Sequence, residues 1–344
     1  MRLYAALALA VALVATPVRA ADPPARAQAR ADQAAEIPGW FKESFLDFPD
    51  ELREAAAAKK RLLLYFGQDG CPYCRELMQV NFGRKDIADT TRARFDAIAL
   101  NIWGDREVTW TDGRKRTEKE FASLLKVQFT PTVLFLDERG EVVLRLNGYY
   151  PPHKFAAALD FASGRSPAGV PFPEYLRQAA AEPASGRLHD EPFLAKPPFD
   201  LKRLREGSRK PLAVLFEQKE CAPCDELHGK GFKDAAAAKL VPEFQWVRLD
   251  LFGRAPLTTP DGKASTESDW GRALGVAYTP TTVFFDAGGK EVFRIEAYLK
   301  PFHLASSLEY VASGAYRGEP NFQRFIQARA QRLREKGQAV QIWQ

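Results

Sequence analysis

The four cysteines of this chain are spaced in a way that suggests chemistry. They form two Cys-x-x-Cys pairs, Cys71 with Cys74 and Cys221 with Cys224, which lie 150 positions apart. Disulfide exchange needs a thiolate that attacks and a second thiol close by that resolves the mixed disulfide. Both pairs meet this requirement, so the sequence first indicates thiol–disulfide exchange.

The residues around each pair predict which sulfur attacks. An apolar run typical of a strand precedes each pair, at 62–66 and 212–216, and a helix is expected to begin at the pair itself. A sulfur at the positive end of a helix is stabilised as the thiolate, which lowers its pKa. The first cysteine of each pair, Cys71 or Cys221, is therefore the predicted nucleophile, and the second is the predicted resolving thiol.

The surroundings of the two pairs are also repeated. Downstream of the pairs, Thr-Pro-Thr occurs at 130–132 and again at 279–281, an offset of 149 positions. Gly148-Tyr149 likewise corresponds to Ala297-Tyr298. Matching segments in the same order predict a duplicated domain.

Each repeat shows a strand, a helix and a strand, followed by a hairpin and a closing helix. This order predicts an α/β fold with a mixed central sheet flanked by helices. The predicted domains span 40–165 and 198–315. The segment 166–197 is rich in Pro, Ala and Gly and is predicted to be a linker, whereas 316–344 is predicted to be a basic C-terminal helix and tail of unassigned purpose.

A proline opens an apolar strand in both repeats, where it would normally be disfavoured. We therefore expect cis peptide bonds at Pro131 and Pro280, in a tight turn beside each cysteine pair. Such a turn would expose the backbone of Thr130 or Thr279, to which an extended substrate could add as a strand. The alternative is an ordinary edge-strand proline.

The first twenty residues resemble an export signal. A basic start at Arg2 and an apolar run lead to Val18-Arg19-Ala20, which predicts cleavage after Ala20 and a periplasmic protein without stable membrane insertion. An uncleaved anchor is the alternative, but the apolar run is shorter than the ~20 residues that span a bilayer. The remainder, 21–39, is a predicted N-terminal segment. An exported chain works in an oxidising compartment.

The composition excludes several classes of protein. In 344 residues that are 46% hydrophobic there is enough apolar material for two packed domains, which excludes wholesale disorder. The net charge of +5 is small and well mixed, so a dedicated nucleic-acid binder is not expected. Because the chain has no glycine-rich phosphate loop, no cofactor is expected beyond the redox-active disulfides.

With the Thr-Pro-Thr segments, C-P-Y-C at 71–74 and C-A-P-C at 221–224 resemble the thioredoxin superfamily twice over. The motif G-Y-Y-P-P…F…L-D-F at 148–161 is similar to exported SoxW-like thioredoxins. The resemblance covers nearly all of 40–165 and 198–315. It implies two tandem thioredoxin-like domains and an enzyme, a periplasmic thiol–disulfide oxidoreductase that reduces disulfides of exported proteins.

The same resemblance implies partners. The substrates would be thiols or disulfides of exported proteins, and a membrane thiol carrier would supply the electrons. Two alternatives stay open from the residues: a disulfide oxidase or isomerase, and a copper-handling module that binds through Cys-x-x-Cys.

The chain departs from thioredoxin in positions that influence the redox potential. Thioredoxin has a tryptophan before its first cysteine, where this chain has Gly70 and Glu220. The buried aspartate of thioredoxin is replaced by Tyr65 and Leu215, and only the second repeat offers a substitute proton acceptor, Glu217.

The charges that follow the two pairs differ. Arg75 follows the first pair, whereas Asp225 and Glu226 follow the second. Glu220 lies just before the second pair, and Lys219 would partly offset this acidic surround. Cations favour a thiolate and anions oppose it, so Cys71 is predicted to be more acidic and faster than Cys221.

Metal binding is a further alternative. Met78 and His228 each lie four residues after a resolving cysteine, on the same helical face. Met78 could join the first sulfurs as a ligand of copper(I), and His228 could join the second sulfurs as a ligand of zinc or copper. Otherwise Met78 is expected in the core and His228 at the surface or in a cap. His153 and His303 are expected to be exposed, and no histidine is expected beside both a carboxylate and a serine.

Two tryptophans, Trp103 and Trp110, bracket a polar excursion in the first repeat. They are predicted either to pack into the core or to form a platform for substrate.

Overall fold

The computed structural model describes residues 35–338 and residue 340. The predicted signal peptide, 1–20, and most of the predicted N-terminal segment, 21–39, lie outside the described residues. Among the residues that are described, no helix is both long and apolar enough to cross a membrane.

The first domain follows the predicted order of elements. Its helices and strands are α1 (Phe48–Ala57), β1 (Arg61–Gly67), α2 (Pro72–Glu76, continued by a π-helical turn at Leu77–Asn81), α3 (Lys85–Arg94), β2 (Phe95–Asn101), β3 (Glu107–Thr109), β4 (Lys115–Thr117), α4 (Glu118–Leu124), β5 (Thr132–Leu136), β6 (Val142–Asn147) and α5 (Pro152–Asp160, continued at Phe161–Arg165). The sheet has the order β2-β1-β5-β6, and β1 is parallel to β2 and antiparallel to β5.

The central strand β1 shows why its sequence is continuously apolar. Leu63 and Tyr65 pack into the core on one face of the sheet, while Leu62, Leu64 and Phe66 pack into the core on the other. Successive side chains of a strand point to opposite faces, so a strand covered on both sides needs apolar residues throughout.

A helix that lies within the predicted linker, α6 (Phe172–Ala179), follows the first domain. The second domain then repeats the architecture. Its helices and strands are β7 (Phe199–Asp200), α7 (Leu201–Glu206), β8 (Leu212–Glu217), α8 (Ala222–Glu226, continued by a π-helical turn at Leu227–Gly231), α9 (Ala235–Ala238), β9 (Gln245–Asp250), β10 (Pro256–Thr258), β11 (Ala264–Thr266), α10 (Glu267–Ala273), β12 (Thr281–Phe285), β13 (Glu291–Ile295), α11 (Pro301–Ala312) and α12 (Phe322–Glu335). The order β13-β12-β8-β9 mirrors that of the first sheet. The predicted fold class, two α/β domains with mixed sheets flanked by helices, is confirmed.

Each domain is followed by a helix that packs onto it. Phe172 and Leu176 of α6 belong to the core of the first domain, so the segment predicted as a linker is partly structural. Phe322, Phe325 and Ile326 of α12 belong to the core of the second domain, which gives the C-terminal helix a purpose that its sequence did not show. In both helices the apolar residues recur three or four positions apart, as is typical of an amphipathic helix. The predictions of a linker and of an unassigned tail rested on composition and did not use this spacing.

The two domains contact each other through corresponding residues. Phe129, which precedes the first Thr-Pro, packs on Phe293 of the second domain at a ring distance of 5.6 Å. Its counterpart Tyr278 packs on Tyr150 of the first domain at 4.6 Å. Each domain thus inserts the aromatic residue before its Thr-Pro into the core of the other domain.

Candidate active sites

The first cysteine pair lies at the beginning of α2. Cys71 and Cys74 form a disulfide, and the backbone N–H of Cys74 donates to Sγ of Cys71 over 3.1 Å. Cys74 is fully buried, whereas Cys71 keeps 6% of its surface and lines a cleft. The sulfur of Cys71 is therefore the one placed at the helix N-terminus and towards an incoming molecule.

The second pair repeats this geometry at the beginning of α8. Cys221 and Cys224 form a disulfide, and the N–H of Cys224 donates to Sγ of Cys221 over 3.1 Å. Cys224 is fully buried, and Cys221 lines a second cleft. Both pairs thus have the same arrangement of an accessible first sulfur and an enclosed second one.

The Thr-Pro loops lie beside the sulfurs. The peptide bonds Thr130–Pro131 and Thr279–Pro280 are cis, and Sγ of Cys71 lies 3.5 Å from the carbonyl oxygen of Thr130. Thr130 keeps only 9% of its surface and Thr279 only 6%. The neighbouring domain and its trailing helix therefore cover most of both threonines in this conformation, and the addition of a substrate strand to their backbone stays a prediction.

The cleft at Cys71 lies between the two domains. It has a volume of about 550 Å³ and is lined by Cys71, Thr130 and Tyr149 of the first domain and by Tyr298 and His303 of the second. The helix α12 forms a further wall of this cleft. The C-terminal helix, which packs on the second domain, thus borders the active site of the first.

The cleft at Cys221 shows the reciprocal arrangement. It has a volume of about 330 Å³ and is lined by Cys221, Glu220 and Thr279 of the second domain together with Lys154 of the first. Here the helix α6, which packs on the first domain, forms a wall. Each trailing helix therefore borders the cysteine pair of the opposite domain.

A polar network fastens α12 over the first Thr-Pro loop. Gln68 donates from Nε2 to Oγ1 of Thr130 over 2.9 Å and to Oε1 of Gln323 over 2.8 Å. Nε1 of Trp103 donates to Oε1 of Gln68 over 2.7 Å. Gln323 in turn donates to the carbonyl oxygen of Gln128 over 2.9 Å. The network joins the loop, the polar excursion and the C-terminal helix.

The two tryptophans of the excursion are half-buried against the first domain. Trp110 packs on Phe48 and Phe121 with ring distances of 5.2 and 4.9 Å. The guanidinium of Arg324 lies over the ring of Trp103 at 5.6 Å. Of the two predicted roles, core packing describes Trp110, and Trp103 also supports the network at α12.

The charges near the two sites are not arranged as the sequence suggested. Asp225 accepts from the backbone N–H and the hydroxyl of Ser185 at 2.8 and 2.6 Å, so its carboxylate is bound to residues that precede the second domain. Glu226 lines the cleft of Cys71 rather than that of Cys221. Of the three acidic residues next to the second pair in the sequence, only Glu220 lines the cleft of Cys221, so the predicted difference in acidity between Cys71 and Cys221 rests on fewer charges and stays a prediction.

The remaining candidates differ in their outcomes. Met78 was predicted to be either a metal ligand or a core residue, and it is buried in the core of the first domain. His153 is exposed and pairs with Glu182 over 2.9 Å. His303 is half-buried instead of exposed, because it lies in the cleft with its ring against Tyr73, and burial lowers its pKa to about 4.

His228 is buried, not at the surface, because residues that precede the second domain cover it. Its Nε2 lies 2.9 Å from Oε1 of Glu217, and its Nδ1 lies 3.0 Å from Oε1 of Glu191. The ring of His189 stacks on it with centroids 4.2 Å apart. Burial alone would lower the pKa of His228, but the carboxylates of Glu217 and Glu191 outweigh it and raise that pKa.

His189 also contradicts an expectation. Its Nε2 lies 3.0 Å from Oδ1 of Asp225, which accepts from Ser185, so a carboxylate and a serine do lie beside a histidine. The hydroxyl of Ser185 donates to the carboxylate and not to the ring, which is not the order of a catalytic serine triad. A comparison of the repeats offers the missed signal, because Glu217 and His228 replace Gly67 and Met78 of the first domain.

One protein family and several solved structures are similar to this chain. The thioredoxin-like domain family matches residues 48–163 and 199–312. No curated protein matches the chain. Solved structures similar to it include a thioredoxin-fold protein from Helicobacter pylori, with 31% identity over 31% of this chain and 70% of that one and a TM-score of 0.28. A thioredoxin from Thermus thermophilus has 25% identity over 33% and 82% and a TM-score of 0.27, and a disulphide isomerase from Xylella fastidiosa has 17% identity over 37% and 85% and a TM-score of 0.21.

Proposed function

The chain belongs to the thioredoxin-like domain family, of which it contains two copies, and from this premise we propose that it reduces disulfides of exported proteins in the periplasm. The two Cys-x-x-Cys pairs in this fold support thiol–disulfide oxidoreductase chemistry. The observation that carries the proposal is the first sulfur of each pair, which lines a cleft while the N–H of the second cysteine donates to it.

The reaction begins with the reduced pair. The thiolate of Cys71 attacks one sulfur of a substrate disulfide, and the other substrate sulfur leaves as a thiolate. The thiol of Cys74 loses its proton and attacks the mixed disulfide at Cys71, which releases the second substrate thiol and closes the Cys71–Cys74 disulfide. Two electrons pass to the substrate, and a dithiol donor must then reduce the pair again. Cys221 and Cys224 act in the same way.

The structure gives each member of a pair a distinct role. A helix N-terminus and a backbone N–H both favour the thiolate form of the first cysteine. Cys74 and Cys224 are fully buried, and each forms a disulfide with the first cysteine of its pair. The exchange uses the two sulfurs alone, so no further cofactor is part of the proposal.

The clefts favour a flexible substrate. Thr130 and Thr279 line them and are mostly buried, so a folded surface could not reach the sulfurs without displacing α12 or α6. An extended cysteine-bearing segment could enter, and Thr130, Pro131, Thr279 and Pro280 would then contact it. We assign these loops to substrate binding on that ground.

The export signal and the resemblance to SoxW-like thioredoxins support the compartment and the direction. A periplasmic reductase needs electrons from the cytoplasmic side, so we assign a membrane thiol carrier as its donor. No nucleic-acid partner belongs to the proposal, since the charge is small and mixed.

The test is insulin reduction together with a redox titration of each pair. We expect the reduced chain to reduce insulin and each pair to have a potential near that of thioredoxin, about −270 mV. A potential near that of the strong oxidant DsbA, about −120 mV, would overturn the reducing direction and favour a disulfide oxidase. The Cys71→Ser/Cys221→Ser double variant is the control and should be inactive.

The substrates can be captured with resolving-cysteine variants. In Cys74→Ser or Cys224→Ser the mixed disulfide cannot be resolved, so the substrate stays attached to Cys71 or Cys221. We expect exported proteins to be captured from a periplasmic extract. Capture by the matched Cys71→Ser variant at the same level would contradict the assignment of the nucleophile.

A further inference from the structure

A buried cluster of two histidines and a glutamate lies beside the second cysteine pair. Glu217 ends β8 and is fully buried, His228 lies on the turn that continues α8, and His189 precedes the second domain. One ligand atom of each residue lies within 4.8 Å of the others. Glu217, the proton acceptor predicted for the second repeat, contacts His228 through one of its carboxylate oxygens.

One hydrogen bond and one ion pair of the cluster indicate where the imidazole protons lie. Nδ1 of His228 contacts the carboxylate of Glu191, and Nε2 of His189 contacts that of Asp225, each over 3.0 Å. A carboxylate in these ion pairs only accepts, so both of these nitrogens carry hydrogen. In a neutral imidazole the opposite nitrogen is then a bare acceptor, and both bare acceptors face Glu217.

With neutral imidazoles, this arrangement places the lone pairs of the two ring nitrogens opposite those of the Glu217 carboxylate. Nε2 of His228 lies 2.9 Å from Oε1 of Glu217, and Nδ1 of His189 lies 3.8 Å from Oε2. Among the described residues no lysine or arginine pairs with Glu217. Either a proton held between His228 and Glu217 or a metal ion must therefore occupy the centre.

A proton on His228 leaves two polar atoms without a partner. Nδ1 of His189 and Oε2 of Glu217 are both buried and accept no hydrogen bond in the described part of the chain. Burying such groups unpaired is costly. One metal ion between them would satisfy both atoms at once.

The first domain shows that the fold does not require this cluster. Gly67 and Met78 stand at the positions of Glu217 and His228, and the hydroxyl of Tyr65 fills the space that a Cβ on residue 67 would need. The same sheet and helix thus form in the first domain without a carboxylate or an imidazole at these positions. The polar residues of the second domain are a separate addition to the fold.

We propose that His189, Glu217 and His228 bind a divalent metal ion of the zinc class. Two imidazole nitrogens and one carboxylate oxygen form a ligand set that suits Zn²⁺. Glu191 and Asp225 hold the outer ring nitrogens, the arrangement in which carboxylates orient and strengthen histidine ligands. The ion would tie the segment that joins the two domains to the helix that carries Cys221.

The coordination would remain open on one side. His189 and His228 line a surface groove that also includes Ser185, Arg187 and Lys233. Three protein ligands leave a position for water in this groove. The ion should therefore exchange with solvent and be removed by a chelator.

Calorimetric titration with Zn²⁺ tests the site in the full chain, stripped by chelator and with all cysteines oxidised so that no thiolate can bind. We expect one ion per chain and an affinity that falls at least about 10-fold in Glu217→Gln and in His189→Ala. His153→Ala is the matched control, because this exposed histidine also pairs with a glutamate, and its affinity should be unchanged. Absence of binding, or equal binding by Glu217→Gln, would overturn the proposal.

Two further measurements keep the test decisive if a variant is unstable. Zn²⁺ should raise the midpoint of thermal unfolding in the wild type and in His153→Ala but not in His189→Ala. Co²⁺ added to the same oxidised chain should give visible ligand-field absorption that is much weaker in His189→Ala. Equal absorption by the two chains would refute the site, whereas insulin reduction, which tests the thiol chemistry, would be unaffected by that result.

Discussion

Replacing Phe322 with alanine should release the C-terminal helix from the cleft of Cys71. Phe322 is the first residue of α12 and is fully buried. Its ring lies 5.3 Å from Phe129 of the first domain, and 4.7 and 5.1 Å from Phe293 and Tyr310 of the second. One side chain thus fastens the helix to both domains.

The expected cost follows from this burial. Truncating a buried phenylalanine to alanine typically costs about 3–5 kcal/mol. Because α12 lies at the end of the chain, we expect much of that cost to appear as local opening of the helix. A loss of about 3 kcal/mol increases the open population by on the order of 100-fold.

The assay combines stability with access to the sulfurs. The midpoint of urea unfolding should fall in Phe322→Ala. In a Cys221→Ser/Cys224→Ser background, the reduced first pair should react much faster with a bulky polyethylene-glycol maleimide once the helix opens. Phe45→Ala is the matched control, because Phe45 is 99% exposed and its removal should change neither quantity.

Two results would refute the reasoning. An unchanged unfolding midpoint would mean that Phe322 does not fasten the helix. A lower midpoint with an unchanged labelling rate would mean that α12 does not restrict access to Cys71.

Three further predictions address the interface, the pH dependence and the two sites. Tyr278→Phe should lower the free energy of unfolding by about 2 kcal/mol, because Nζ of Lys154 donates to the Tyr278 hydroxyl over 3.0 Å and loses that acceptor; an unchanged urea midpoint would contradict this. The pKa of His303 falls from 6.5 to about 4 on folding, so this histidine stays neutral in the folded chain while it takes up a proton in the unfolded chain. The free energy of unfolding should therefore decrease as the pH falls from 6.5 towards 4. His303→Leu should lose this part of the pH dependence in urea titrations, and a pH profile identical to that of the wild type would contradict the role of His303. Cys71→Ser should remove more insulin-reducing activity than Cys221→Ser because the cleft at Cys71 is larger, and the reverse ranking would show that cleft volume does not govern the rate.

The sequence predicted the features that depend on neighbouring residues. The continuous apolar run of β1, the helix that begins at Cys71 and the duplicated Thr-Pro loops are all encoded within short segments, and each was found where expected. Periodicity and turn chemistry act over a few positions, so they can be read directly from the chain.

The features that escaped prediction depend on distant contacts. Gln68 and Gln323 are 255 positions apart, and no local pattern shows that one would hold the helix of the other over Thr130. His228 was expected at the surface because its helix alone gives it an open face, and residues 183–191 cover that face in the folded chain. The burial of Glu217 in an apolar strand is explained by its contacts with His228 and His189, which the local sequence does not show.

The contact between the domains explains why each cysteine pair is bordered by the helix that packs on the opposite domain. Asn147 contacts Glu296, its own counterpart in the repeat, and Phe129 and Tyr278 make reciprocal insertions. This is the pattern of a two-fold interface, in which each copy presents the same patch to the other. In such an interface, a segment of one copy that covers a site in the other has a counterpart that covers the corresponding site in the first copy. The helix that follows each domain therefore borders the cysteine pair of the other domain. One two-fold contact between the copies thus accounts for the enclosure of both clefts.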